Sequence, residues 1–235
     1  MPDYLCVVPA RGGSKRLHRK NILDMDGLPM ISSSIQAARE TRLFDEVYVA
    51  TDDDEIADVA REYDATVPYL MPDELCGDQV PSHQPAQHLA EYLAEEQGIE
   101  YETLVLLQPT SPLRTPSDIT KGIAEYEDGD YNFVVSVTHI DPHYFHWAME
   151  ESEDGYWEMH FGDKYMKERP LLPDKFRPNG SVKISDFSAL RDEGNFFGEK
   201  CGAFETPRRR SIHVGTEFEF DVAEGLLKQR EGMWE

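Results

Sequence analysis

The chain has 235 residues, 40% hydrophobic and 11% aromatic, enough for one large α/β domain burying roughly 70% of its unfolded surface. Its 46 acidic residues against 23 basic ones give a net charge of −23, and with the acids spread along the sequence this excludes nucleic acid and anionic membranes as general partners. The longest apolar stretches, such as residues 104–107, are strand-length, so no transmembrane segment is expected.

Met1-Pro2-Asp3-Tyr4 lacks the basic and apolar regions of a signal peptide, and Cys6, Cys76 and Cys201 form no metal-type or redox pair. The expectation is a cytoplasmic protein with reduced thiols. Either a specific cationic partner or adaptation to very high salt accounts for the acidity. The even spread of acids favours the halophilic reading, in which self-repulsion is screened within ~3 Å at 1 M ionic strength.

In chain order, the apolar run Leu5-Cys6-Val7-Val8 stops at Pro9-Ala10-Arg11-Gly12-Gly13, as a buried strand entering a loop does. Residues 29–39 carry Met30, Ile31, Ile35 and Ala38 at helical spacing, and 46–50 alternate like a strand. From Asp54, a further helix (Ile56, Val59, Ala60, Tyr63) leads to a short extended piece at 66–69. A helix over 84–96 precedes a strand at 103–108. Thr115-Pro116-Ser117-Asp118 supplies an N-cap, a first-turn proline and an acid for a helix reaching Tyr126, and a strand follows at 132–138.

Between 139 and 178 the rhythm breaks into aromatics, histidines and charge, which reads as an inserted lobe or arm. His139, His143 and His146 are spaced too loosely for a metal site and fit packing better. Strands at 181–185 and 211–214 and a helix over 217–230 close the chain. The alternation implies a Rossmann-like three-layer α/β/α fold, its mostly parallel sheet binding ligands beyond the strands' carboxyl ends. The domain proper spans 1–138 and 179–235, with 139–178 as the insertion.

Residues 11–20 hold five basic side chains, Arg11, Lys15, Arg16, Arg19 and Lys20, and no acid. Gly12 and Gly13 let backbone N–H groups approach an anion, Ser14 adds a hydroxyl, and the cations supply charge-assisted bonds to phosphate oxygens. The loop has neither the Gly-Lys-Ser/Thr ending of a P-loop nor the third glycine of a dinucleotide fingerprint, which argues against a dinucleotide-dependent oxidoreductase.

Pro9-Ala10-Arg11-Gly12-Gly13-Ser14-Lys15-Arg16-Leu17-His18-Arg19-Lys20-Asn21 closely resembles the signature loop of the acylneuraminate cytidylyltransferases, the CMP-sialic acid synthetase-like nucleotidyltransferases. The resemblance continues in Leu106-Leu107-Gln108-Pro109-Thr110-Ser111-Pro112-Leu113-Arg114 and Phe176-Arg177-Pro178-Asn179-Gly180, and covers nearly the whole chain. It implies an enzyme joining CMP from CTP to a nonulosonic sugar acid with release of pyrophosphate, working as a homodimer through the arm. On this resemblance Arg11, Lys15 and Lys20 are catalytic cations, and Ala10, Arg11, Gly12, Gly13, Ser14, Lys15, Lys20, Asn21 and Ser82 bind the nucleotide. Gln108, Arg169, Arg177, Asn179, Phe196 and Phe197 face the sugar.

The metal site departs from the family. Its usual Asp-Ile-Asp-Thr-Glu run, whose aspartates hold the ion, reads His213-Val214-Gly215-Thr216-Glu217 here. Mg²⁺ or Mn²⁺ is still expected, with Asp52, Glu217 and Asp221 as the compensating carboxylates, since histidine suits a hard ion poorly. Met71 stands where the family often has an arginine against cytosine, and the arm lacks the family's lysine near Tyr144. GTP as donor, or a nucleotide-sugar binding protein without turnover, are the competing readings.

Overall fold

The computed structural model of the chain describes residues 4–229, the side chains of residues 142 and 169 excepted. Strand β1 (Tyr4–Pro9) is followed by α1 (Met30–Thr41), β2 (Val47–Ala50), α2 (Asp54–Glu62), α3 (His83–Gln97), β3 (Thr103–Leu106), α4 (Pro116–Asp128) and β4 (Phe133–Ile140). A short helix α5 (Pro142–His146) and a ribbon of β5 (Met149–Glu151) and β6 (Trp157–Met159) make the arm. The chain then returns through β7 (Lys175–Asp186), α6 (Phe187–Glu193), β8 (Cys201–Glu205) and α7 (Glu217–Lys228).

The main sheet runs β8-β4-β7-β3-β1-β2. β1 pairs in parallel with β2 and β3, and β8 with β4, while β7 is antiparallel to both its neighbours. Five strands therefore point one way and end on one edge, as the alternating pattern implies. Among the described residues no helix is long and apolar enough to cross a membrane.

Apolar periodicity explains the layering. On one face Ile31, Ile35, Ile56, Ala60, Ile119 and Ile123 from α1, α2 and α4 pack on Val8, Val49 and Ile184. On the other, Leu89 and Leu93 of α3 and Leu190 of α6 pack on Leu5, Val7, Leu104 and Leu106. Each such valine, leucine or isoleucine side chain taken wholly from water contributes roughly 1.5–3 kcal/mol. Helix starts follow their sequence signals: Asp53 accepts the Ile56 N–H ahead of α2, and Thr115 with Asp118, and Thr216 with Glu219, form capping boxes on α4 and α7.

Three elements differ from the sequence reading. Residues 211–214 are not a strand: they leave the three-residue 3-10 turn Arg208–Arg210 as an extended loop, tied back by the Val214 N–H to the Thr110 carbonyl at 2.7 Å. The last sheet strand is instead β8, whose five residues alternate exposed and buried along the sheet edge. Residues 66–69 add only a single bridge, Thr66 to Tyr48. The strand expected at 181–185 is the second half of the twelve-residue β7, which also crosses the 178/179 boundary drawn for the arm.

Candidate active site

The carboxyl ends of β1, β2 and β3 open into a cleft of about 240 Å³ lined by Ala10, Arg11, Lys20, Asn21, Ser82, Gln108 and His213, among others. It lies where a largely parallel sheet places its ligands. A depression of similar size between α1 and α7, beside Gln36 and Leu227, has no comparable cluster of cations; Arg114 borders it, but two of its N–H groups are spent on protein carbonyls.

The acids that end β2 fold the basic loop. Asp52 Oδ1 accepts the Gly12 N–H at 2.7 Å, and Asp53 receives two bonds from Arg19 at 2.8 and 3.0 Å. A Cβ on Gly12 would stand 2.6 Å from Asp53 Oδ2, so only glycine allows this approach. Asn21, buried, donates its amide to the Arg11 carbonyl at 3.0 Å and closes the loop on itself. The Arg19 guanidinium beside Asp53 holds that carboxyl below its ordinary range.

Of the loop's cations, Arg11 and Lys15 hold Asp78: Arg11 Nη2 lies 2.7 Å from Asp78 Oδ1, and the Lys15 ammonium pairs with its other oxygen. Nothing in Gly77-Asp78-Gln79 signalled this carboxylate in the sequence, yet it takes the anion position between two cations expected to meet phosphate. Among the described residues Lys20 forms no ion pair and reaches the Val214 carbonyl at 3.4 Å; burial, then Arg11 and Arg16, push its pKa down against the pull of Glu219. Ser14 folds its N–H onto the Gly12 carbonyl, and Gly13 has open space around it.

Opposite the loop, Arg114 is fully buried and clamps two segments, donating Nε to the Ser181 carbonyl and Nη2 to the Gln108 carbonyl, both at 2.7 Å. Burial lowers its pKa to about 10, which leaves it charged at neutral pH. Gly180 has φ +72°, and a Cβ there would lie 2.5 Å from Gln108 Oε1 and 3.3 Å from His213 Nδ1. The glycine of the Arg-Pro-Asn-Gly motif thus makes room for Gln108 in the cleft.

Asn179 does not reach the cleft. Its buried amide accepts from Ser136 Oγ and the Ser181 N–H and donates to Thr206 and Ser211, so it fastens β7 to its surroundings. Arg177 opens into a neighbouring cavity of about 250 Å³ shared with His139, Tyr144 and Arg208. Phe196 is buried under α3 whereas Phe197 is 55% exposed. Arg169 begins the 3-10 turn Arg169–Leu171, but its side chain lies outside the described residues. Met71 is in the core, with its N–H on the Thr51 carbonyl at 2.7 Å.

The expected metal ligands are not gathered. Among the described residues no three His, Cys, Asp or Glu side chains converge to hold an ion. One Asp52 oxygen is committed to Gly12, and Glu217 and Asp221 stand exposed on α7. Glu219 Oε2 leans towards Gly215 but already accepts from the Gly215 and Thr216 N–H groups and the Thr216 hydroxyl. His213 presents an open edge to the cleft, while protein crowded around the ring, then Lys20, Lys183 and Arg177, push its pKa down to about 4. This corner repels a cation and does not fit a resident divalent ion. In the arm, His143 stacks on Trp147 at 4.8 Å and His146 meets Phe161 edge-on, as packing residues do.

The chain is similar to known proteins. Residues 5–149 match the family described as Cytidylyltransferase. A pseudaminic acid cytidylyltransferase of Campylobacter jejuni is 30% identical over 226 residues, 95% of this chain and 96% of that protein. A CMP-N,N'-diacetyllegionaminic acid synthase of Legionella pneumophila is 32% identical over 234 residues, again 95% and 96%. A structure of CMP:2-keto-3-deoxy-manno-octonic acid synthetase complexed with CTP superposes with a TM-score of 0.73 at 16% identity, covering 97% of this chain and 99% of that one, which establishes the shared fold. With a matched family over more than half its length and relatives aligned almost end to end, the chain belongs to the cytidylyltransferase family of nucleotidyltransferase enzymes.

Proposed function

We propose that the chain transfers CMP from CTP to the anomeric hydroxyl of a nonulosonic sugar acid and releases pyrophosphate. The carrying observation is the cleft that brings the cations Arg11 and Lys20 together with Gln108 and His213. Relatives that align over their full length are named for pseudaminic and N,N'-diacetyllegionaminic acids, which favours CTP over GTP and an acidic sugar as acceptor.

In this reading the hydroxyl oxygen forms a bond to the α-phosphorus as the bond to the bridging β-phosphate oxygen breaks, the electron pair leaves with pyrophosphate, and the hydroxyl proton passes to solvent. Arg11, Lys15 and Lys20 offset the charge that grows on that leaving group. His213, neutral at pH 7, offers a lone pair that orients the attacking hydroxyl. Because no three-donor site forms among the described residues, Mg²⁺ or Mn²⁺ would enter with the triphosphate. The arm exposes Tyr144 at 78%, Tyr156 at 73% and Trp157 at 64%, apolar area that a homodimer contact through the arm would cover.

Pyrophosphate release, measured over four nucleoside triphosphates and a panel of sugar acids with each metal, tests the proposal. CTP-specific turnover with a sugar acid is expected. Nucleotide binding without turnover would overturn it in favour of a binding protein.

A further inference from the structure

Among the described residues the largest fully buried side chain is a charged one, Arg114. Its Nε and Nη2 donate to the Ser181 and Gln108 carbonyls, which are neutral partners. Its third nitrogen, Nη1, is buried as well and meets no hydrogen-bond acceptor among the described residues. Asp118, the carboxylate whose charge reaches it, spends its oxygens on Arg210 and on the cap of α4. The guanidinium is therefore taken out of water with one face unused and no bonded counter-ion, a costly arrangement.

Arg114 lines the cavity of about 260 Å³ between α1 and α7. So does Ser32, 1% exposed, whose hydroxyl is also buried without a hydrogen-bond partner. Two unpartnered polar groups, one of them cationic, thus belong to a single cavity although they come from α1 and from the segment ahead of α4. The uncapped start of α1 lies there too, since Pro29 offers its first turn no side-chain acceptor, and the positive end of that helix adds to the field. Water satisfies a donor but leaves the charge uncompensated; an anion does both.

The remaining lining narrows the ligand. Met25, Met30, Pro112 and Leu227 give apolar walls, and Asp26 and Glu40 stand exposed at the mouth. Acids at the mouth disfavour a dianion such as phosphate, and apolar walls favour a carbon body over an inorganic ion. We infer that this cavity is a second ligand site, separate from the cleft, which takes a small organic monocarboxylate. Its carboxylate meets Arg114 Nη1 and Ser32 Oγ, and its apolar body lies between α1 and α7.

The test titrates butyrate into the full chain, followed by saturation-transfer NMR and calorimetry at fixed ionic strength with chloride as the balancing anion. Binding in the millimolar range is expected. Butyramide and butylammonium keep the carbon body and lose the negative charge, so both should bind at least about tenfold more weakly. Replacing Arg114 would also undo its clamp on Ser181 and Gln108, so two variants that leave it in place carry the test. Ser32→Ala should weaken butyrate by about tenfold. Gln36→Trp, at an exposed position of α1 on the cavity's edge, should abolish binding by filling the mouth. Lys20→Ala, in the cleft, should leave it unchanged. Absence of butyrate binding by the wild-type chain overturns the inference, as does binding unchanged in Ser32→Ala or surviving in a folded Gln36→Trp. Loss of binding in Lys20→Ala overturns it by placing the butyrate in the cleft, and a preference for butylammonium overturns it in favour of the acidic mouth. Should Gln36→Trp melt far below wild type, Ser32→Ala decides alone.

Discussion

Arg11 and Lys15 both close on Asp78, so on the proposed reading the internal carboxylate competes with the triphosphate for two of the loop's cations. Asp78→Asn should lower KM for CTP by about two- to fivefold, the scale of an exposed pair, while Lys15→Ala or Arg11→Ala should raise it well beyond any substitution of a surface acid. Titration of nucleotide by calorimetry checks both; weaker binding in Asp78→Asn would make that carboxylate a ligand-holding group instead of a competitor. The metal corner gives a second residue-scale expectation. A Cβ on Gly215 would lie 3.4 Å from Glu219 Oε2, so the double substitution His213→Asp, Gly215→Asp should crowd carboxylates together and create a site that binds Mn²⁺ without nucleotide. Electron paramagnetic resonance of free Mn²⁺ should show uptake by the double variant and none by the wild-type chain.

At the scale of elements, the bond between α4 and the Arg208–Arg210 turn is the one to break. Asp118, almost fully buried, completes the capping box of α4 and takes two bonds from Arg210 at 2.7 and 3.1 Å. Burial alone would raise its pKa; Arg210 and the Thr115 N–H and hydroxyl outweigh that and hold it below the ordinary 3.8. Asp118→Ala should cost about 3 kcal/mol in urea unfolding, since it strands a half-buried guanidinium and uncaps a helix. A depressed carboxyl stabilises above its unfolded pKa and ceases to do so as the pH falls through its folded value. The gap between wild type and variant should therefore be constant from neutral pH down to about 5 and shrink below 4.

The same elements show what could be read from the sequence. The strands with continuous apolar runs, the capped helices and the basic loop were legible because each depends on local chemistry. The strand β8 was not, since Cys201-Gly-Ala-Phe-Glu205 is an edge strand whose two inward positions are a glycine and Phe204, and the stretch 211–214 looked like a strand although, among the described residues, its ladder-like bond is Val214 to Thr110. The burial of β7 on both faces was hidden by its pattern: Ser181, Lys183 and Ser185 alternate with Val182 and Ile184 like the wet face of a sheet, but both serines are buried because α3 and α6 cover that face. Asn179 read as a sugar contact since its motif is a site motif; only the buried network around Ser136, Thr206 and Ser211 shows where its amide is spent.

Over the whole molecule, the net charge of −23 and the few cations gathered at one cleft make salt act in opposite directions on folding and on binding. Self-repulsion of the compact state is long-ranged at low ionic strength and is screened within ~3 Å at 1 M. The ion pairs that salt weakens, such as Lys228 with Glu224 and Arg61 with Asp58, are exposed and contribute little. Raising KCl from low concentration to 1 M should therefore raise the melting temperature, by roughly 2–4 °C for each kcal/mol of repulsion removed. If Arg11, Lys15 and Lys20 hold the triphosphate as proposed, binding rests on attraction between charges that salt screens, and the CTP dissociation constant should rise over the same range. Differential scanning calorimetry and nucleotide titration in parallel salt series separate the two effects. A melting temperature that instead falls with salt, and rises on adding a basic peptide at low salt, would mean that the acidity serves a specific cationic partner and not the solvent.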